Sequence, residues 1–460
     1  MDLSRTQLTG LLNNVAHEKT KFIQLLHKIK TILSLSKDYK LILNSLDKLI
    51  LTSSPTLIFQ NINFSHPVLK ILIEIIEKTK KMGEGEKIFI EILKVLVDKI
   101  SYLLDNGVKA KTISDTLKDF QIKVEKFSFL KSEASSECFL SEDLRSYIKD
   151  ILPDYNLSDL LVNAIENTGS FDSENVRICK VATGSTEDSY ILDGMLLSKM
   201  PEGTIKSLSN TSVGIFNCAF DINRTELKGT VLMHTAAELL SFSSDEISRA
   251  KALVDSLNVN VVIVCGNINE VFLDFANSRN ILVLRVFSKF DLKRLSVLLN
   301  AEIQTTLGPV NKPGFVRSVS VVEDGNSYFT KVIGAGNVNT IVVKNTMMQK
   351  CDEYERRIGN VLDTLKKNYG GIGNSSVVFS SPDFFSEAAR EIGNSTSIHT
   401  VVSEGLKRVE YKKMILNDQV KCLKYAFDFL ATILEIDDYL VAKADQLNIK
   451  PQNNPHWDDD

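Results

Sequence analysis

The chain divides by the spacing of its apolar residues. From about Leu8 to Phe129 they recur at helical intervals, as in VLKILIEIIEKTKK (Val68 to Lys81) and KIFIEILKVLVDKISYLLDNG (Lys87 to Gly107). The second segment is apolar nearly all round, which predicts a buried helix, and Asn106-Gly107 supplies its stop. KLILNSLDKLILT (Lys40 to Thr52) instead predicts two short strands around Asn44-Ser45. From about Val176 the signal turns to strands. VGIFNCAF (Val213 to Phe220), VNVVIVCG (Val259 to Gly266) and ILVLRVF (Ile281 to Phe287) are short β-branched runs, and INEVFLDFANSRN between the last two predicts a helix. SVSVVEDGNSYFTKVIG (Ser318 to Gly334) alternates around Asp324-Gly325, a hairpin signal. After IVVKN (Ile341 to Asn345) helical spacing returns and runs through Val420 to Ala444. Helical ends on either side of an α/β stretch from Gly194 to about Asn337 predict that the two ends build one domain together.

Composition adds bounds rather than detail. At 460 residues the chain has length for roughly three domains of about 150 residues. With 43% hydrophobic and 24% charged residues it is a globular chain, neither collagenous nor disordered. A net charge of −4 gives no broad basic field, so nucleic acid is not the expected partner. The Lys-rich first 130 residues carry interspersed acids and read as solvated helix faces. Six cysteines stand singly, without a CxxC pair, as expected of reduced and mostly buried thiols in a cytoplasmic protein. The first residues lack the apolar run of a signal peptide, and no uncharged apolar stretch is long enough to predict a membrane span. The tail from Asn448, rich in Asn, Pro and Asp, reads as disordered.

Several local motifs then carry a resemblance. ENVRICKVATGSTEDSYILDGMLLSKM (Glu174 to Met200) contains Gly184-Ser185, Asp188-Ser189 and Gly194-Met195 in the order that links two domains of group II chaperonins. His66, Pro67 and Lys70 resemble that family's HPxxK helix start. LLDNGVKAKTI (Leu103 to Ile113) is similar to its LLxxGxxPxxI turn, with Ala110 at the proline, and Ile436-Asp437-Asp438 is similar to its closing helix. Together these identify the chain as a member of the group II chaperonins, over most of its length from about Lys40. The resemblance implies a mixed α/β and mostly α fold of nested domains. An equatorial domain would take residues 1–130 and 367–447, an intermediate domain 131–193 and 338–366, an α/β apical domain 194–337, and a tail 448–460. It also implies ATP and Mg2+ as cofactors, the other subunits of a hetero-oligomeric double ring as partners, unfolded client proteins as cargo, and no nucleic acid or membrane partner.

The positions that carry ATP chemistry in such proteins are altered here. The first phosphate loop, a Gly-Pro turn in relatives, falls near Ser34 to Lys37, where neither residue occurs. The next element, an Asn-Asp pair, maps to Ser53 and Ser54, so its carboxylate is gone. The central Gly-Asp-Gly-Thr-Thr motif maps to Gly83-Glu84-Gly85-Glu86-Lys87. Such a turn holds phosphate on backbone N–H groups at a helix start. Both glycines remain, and Lys87 offers a cation, but Glu84 is one methylene longer than aspartate and Glu86 would repel phosphate. The plain alternative, and the favoured one, is a solvated turn before a buried helix. The catalytic aspartate position is Asn360, whose amide cannot accept a proton from water at neutral pH. The last glycine cluster is reduced to Gly370-Gly371-Ile372-Gly373. The candidate nucleotide residues are therefore Gly83, Glu84, Gly85, Lys87, Gly370 and Gly371, with no catalytic residue.

Other chemistry is sparse. The six histidines are isolated, without HExxH or Cys/His spacing, so no metal site is expected. GAGNVN (Gly334 to Asn339) lacks the third glycine of a dinucleotide fingerprint. In LMHTAAELLSF, Leu232, Ala236, Leu239 and Leu240 form one helical stripe, either a client-binding surface or apical core. Three readings follow: a client-enclosing ring subunit unable to hydrolyse ATP, a working ATPase with an atypical pocket, or a binding module outside any ring.

Overall fold

The computed structural model describes residues 39–44, 47–62, 67–83, 85–134, 141–152, 154–222, 235–325, 327–369, 379–393, 395–410 and 413–436. The first described elements are strands β1 (Lys40–Leu43) and β2 (Leu49–Thr52), an antiparallel pair in which Ile42 faces Ile50. Helices α1 (Pro55–Gln60), α2 (Pro67–Lys80), α3 (Gly85–Asp105) and α4 (Ala110–Ala134) follow, then α5 (Ser141–Ile151) and α6 (Tyr155–Thr168). Pro55 and Pro67 open their helices, where a missing N–H costs nothing. Gly107, at φ +88°, ends the buried helix α3 as its Asn-Gly signal predicts.

Strands β3 (Val176–Val181), β4 (Tyr190–Asp193), β5 (Met195–Leu197) and β6 (Leu208–Phe216) lead to α7 (Ala236–Ser256). Next come β7 (Val261–Val264), α8 (Glu270–Ser278), β8 (Leu282–Arg285), α9 (Lys289–Leu299), β9 (Ile303–Gln304), β10 (Gly314–Asp324), β11 (Ser327–Ile333) and β12 (Asn339–Lys344). The chain returns to helix with α10 (Met348–Tyr369), α11 (Phe384–Ile392), α12 (Ser397–Leu406) and α13 (Leu416–Glu435).

Two of the expected strand limits move. β6 begins at Leu208 and ends at Phe216, because its polar N-terminal half pairs with β10 at Ser209↔Ser318 and Thr211↔Val316. Phe220 makes only an isolated bridge to Ile268. The β10–β11 pairing closes on Asp324↔Ser327, so the loop lies one residue beyond Asp324-Gly325, with Gly325 at φ +62°.

Buried side chains gather into separate clusters. The largest draws on both ends of the chain, with Phe89, Leu93 and Phe120 packed with Phe384, Phe427 and Leu430. We call this the terminal unit. A second, the connecting unit, joins Tyr147, Leu161 and Phe171 to Ile341, Ile358 and Leu365. Two more lie on either side of the sheet β5-β11-β10-β6-β7-β8, the inserted unit, where β6, β7 and β8 run parallel and β7–α8–β8 is the predicted crossover. The insertion closes where β12 pairs parallel with β3 and antiparallel with β4, so the outgoing and returning strands lie side by side. Arg177 on β3 ties the inserted unit down through a two-bond pair with Asp291 on α9, at 3.1 Å each, and a 2.6 Å bond to the Leu196 carbonyl.

Candidate functional site

The glycine turn Gly83–Gly85 lies between α2 and α3 and is deeply packed. Gly83 has φ +71°, and a Cβ there would stand 2.7 Å from the Tyr147 hydroxyl of α5. Thr364 of α10 lies on the same side, 3.7 Å from that position. At Gly85 a Cβ would meet Met82 Cβ and the Thr79 carbonyl at 3.0 Å and Cys422 Sγ of α13 at 3.1 Å. Both glycines thus have a packing reason to be glycine, independent of any ligand.

Glu86 corrects the expectation of a solvated turn. It is only 3% exposed and points back toward the start of α1. Its carboxylate accepts from the Ser54 hydroxyl at 2.7 Å, from the Thr56 N–H at 3.2 Å, and from the Thr56 hydroxyl. Pro55 leaves α1 without one N–H, and Ser54 makes no side-chain cap of its own. Glu86 supplies the missing acceptor from thirty residues away, while standing in the first turn of α3, where a negative charge also suits the helix dipole. One carboxylate serves two helix starts.

Helix α10 carries the rest of the site on one stripe. Glu353, Arg357, Asn360, Thr364 and Asn368 recur at intervals of three and four, so they share a face. The opposite face, with Cys351, Tyr354, Ile358 and Leu365, fills the connecting unit's core. Glu353 is buried and accepts from the Thr52 hydroxyl at 2.9 Å and from the Ser53 N–H and hydroxyl at 3.2 Å each. Its own helix supplies Arg356 Nε and Nη2 at 2.9 and 2.6 Å, and Arg357 Nε at 3.1 Å. Burial opposes ionisation, but the bonds and charge of Arg356, with Arg357 and the Ser53 N–H, outweigh it and hold the Glu353 carboxyl at about 2. Arg357, also buried, donates to the Ser53 hydroxyl and to the Ile151 carbonyl at 3.4 Å, and its guanidinium lies 5.4 Å from the Tyr39 ring.

Asn360 is half-buried one turn before Thr364, whose hydroxyl donates to the Asn360 carbonyl at 2.7 Å. At the end of the stripe Asn368 donates to Asp418 on α13 at 3.4 Å. Burial pushes the neighbouring Cys422 thiol far up, and it sits against the Gly85 carbonyl at 3.6 Å as a packed, unreactive group. Gln419, one turn before Cys422, is fully buried, and among the described residues neither of its amide atoms has a hydrogen-bond partner.

The candidates named from sequence therefore fare unequally. Gly83, Gly85 and the half-buried Lys87 sit at one turn beside α10. Glu84, Gly370, Gly371 and Leu232 lie outside the described residues, as do the side chains of Ala236, Leu239 and Leu240 on α7, the Asp437-Asp438 pair after Ile436, and the tail. Sequence reasoning passed over Tyr147, Glu353, Arg357 and Thr364. It also passed over Phe287 and the 70%-exposed Phe290 at the rim of the inserted unit, where Lys199 lies 3.9 Å and Arg285 5.0 Å from the Phe287 ring. Among the described residues no helix is long and apolar enough to cross a membrane.

Residues 38–370 match the TCP-1/cpn60 chaperonin family, and the chain belongs to that family. Within it, the chain is similar to T-complex protein 1 subunit theta of Encephalitozoon cuniculi, at 34% identity over 484 aligned residues and 100% of both chains. The probable theta subunit of Schizosaccharomyces pombe is 27% identical, over 92% of this chain and 90% of that protein. The human theta subunit is 26% identical over 71% of this chain and 63% of its own length.

Proposed function

We propose that this chain is a theta-type subunit of the cytosolic hetero-oligomeric double-ring chaperonin, and that it serves the ring without hydrolysing ATP. The terminal, connecting and inserted units are then its equatorial, intermediate and apical domains. The observation that carries the second half is the inward turn of Glu86. A triphosphate at the glycine turn would have to displace that carboxylate from Ser54 and Thr56, or stand beside its charge. Either costs several charge-assisted hydrogen bonds. Tyr147 and Thr364 already cover the Gly83 side of the turn. Among the described residues of this turn, Gly83, Glu86, Tyr147 and Thr364 fit a magnesium nucleotide poorly, and Asn360 offers no base for water.

Ring membership is supported by the β1–β2 pair. Among the described residues it is a two-stranded sheet of its own, packed on the terminal unit through Ile42, while Leu41 and Leu43 are 63% and 62% exposed, an open apolar face of the kind another surface covers. Client contact is supported by the exposed aromatics Phe287 and Phe290 on the inserted unit, the first of them beside Lys199 and Arg285. One observation favours a second reading, retained nucleotide binding: a polar ligand is what would pair the buried Gln419 amide. Photo-crosslinking of the intact ring with an azido-ATP separates the two. The leading reading expects label on neighbouring subunits and none on this chain. Label on this chain at the level of its neighbours overturns it in favour of the atypical ATP site. A chain that purifies only as a free monomer overturns the ring assignment as well.

A further inference from the structure

Three places stand out: the buried Gln419 amide, the aromatic rim at Phe287, and the buried charge cluster around Glu353. The first two belong to the readings above. The third does something different. Glu353 and Arg357 sit on the connecting unit, yet most of their inward bonds go to other elements. Thr52 ends β2 and Ser53 follows it in the terminal unit, the Ile151 carbonyl ends α5, and Tyr39 precedes β1. The β2 partners are some 300 residues away in sequence. Both charges are almost wholly removed from water, at 2% and 4% exposure, and each satisfies the other at 3.1 Å.

The cluster is densely hydrogen-bonded. Parting β2 from α10 would strip Glu353 of its bonds to Thr52 and Ser53, and Arg357 of its bond to Ser53, at a depth where unpaired groups are expensive. We propose that Glu353 and Arg357 form a ligand-independent fastener. It holds the connecting unit closed on the terminal unit, so that this subunit keeps one hinge position whatever the nucleotide state of its neighbours. The inference rests on the reading that this chain does not use ATP. It adds what takes the place of nucleotide in fixing the hinge.

Hydrogen–deuterium exchange on the purified intact ring, with and without ATP, tests it. The fastener expects segments 49–60 and 350–362 of this chain to exchange within about twofold of each other in the two states. Arg357→Ala should raise exchange in both segments about tenfold. Arg357→Lys keeps the charge but loses the planar fork, and should give an intermediate rise if the alanine form does not assemble. ATP opening these segments in the unaltered ring, or both substitutions leaving them unchanged, overturns the proposal. Nucleotide turnover in this chain with ATP-insensitive exchange would sink the function reading and leave the fastener standing. ATP-sensitive exchange with no nucleotide on the chain would do the reverse.

Discussion

At the residue scale, Glu353 is where protonation and structure meet. Its carboxyl is held at about 2 against an ordinary value of 4.5, so the folded state binds the proton more weakly than the unfolded one. That stabilisation is present above about 4.5 and is lost as pH falls toward 2. A shift of this size corresponds to roughly 3 kcal/mol at neutral pH. Glu353→Gln should therefore lower stability by about 3 kcal/mol in denaturant titrations near pH 7, with a gap that narrows as the pH approaches about 3. A gap that stays constant with pH would mean the charge is not what matters. Gly83→Ala should cost about 1–3 kcal/mol by the same measurement, because its φ is positive and Tyr147 stands in the way of a Cβ.

Single residues also show what a sequence withholds. That Ser53, Ser54 and Asn360 carry no carboxylate is legible in the sequence itself, whatever the fold. The direction of Glu86 is not, because it is set by Ser54 and Thr56, residues distant in the chain. Charged residues before a helix read as solvated by default, and only tertiary contact reverses that. Asn360→Asp alone should restore no measurable ATP turnover in the reconstituted ring, because Ser54 and the inward Glu86 remain. A clear gain in turnover would show that the turn is open to phosphate after all.

At the scale of elements, periodicity served best where one element forms from neighbours in sequence. The β1–β2 ribbon, the buried helix α3 and the β7–α8–β8 crossover all stand where spacing predicts them. It failed at β6, whose polar first half is a strand only because β10 lies beside it. It also missed the working face of α10. The signal was available there: polar residues at 353, 357, 360, 364 and 368 keep helical spacing as strictly as the apolar ones opposite. A buried polar stripe and a solvated one look alike until the facing element is known. For the ribbon, replacing both Leu41 and Leu43 with Lys should leave the subunit's circular dichroism unchanged, because both are exposed. It should also cut incorporation into rings about tenfold, as read by co-purification. Normal incorporation would remove the ribbon from the ring interface.

At the scale of the molecule, the order of clusters explains how distant losses act together. The chain leaves the terminal unit, passes through the connecting unit, builds the inserted unit and returns, with β3 and β12 side by side at the crossing. Every hinge therefore has two strands of chain and can be fastened from either. Arg177–Asp291 fastens the inserted unit, and Glu353–Arg357–Ser53 fastens the terminal one. Both join residues far apart in sequence, which is why neither was legible there. On the proposed reading, a subunit held in this way meets its neighbours through its surfaces and takes no lead from its own pocket. The most direct test of that claim is a structure of the complete ring with ATP and magnesium bound. A subunit that does not use ATP should leave nucleotide density to its neighbours, with its own Glu86 still bonded to Ser54 and Thr56 and no nucleotide at Gly83. Ordered nucleotide with magnesium at this turn, and Glu86 swung away from Ser54, would contradict the claim.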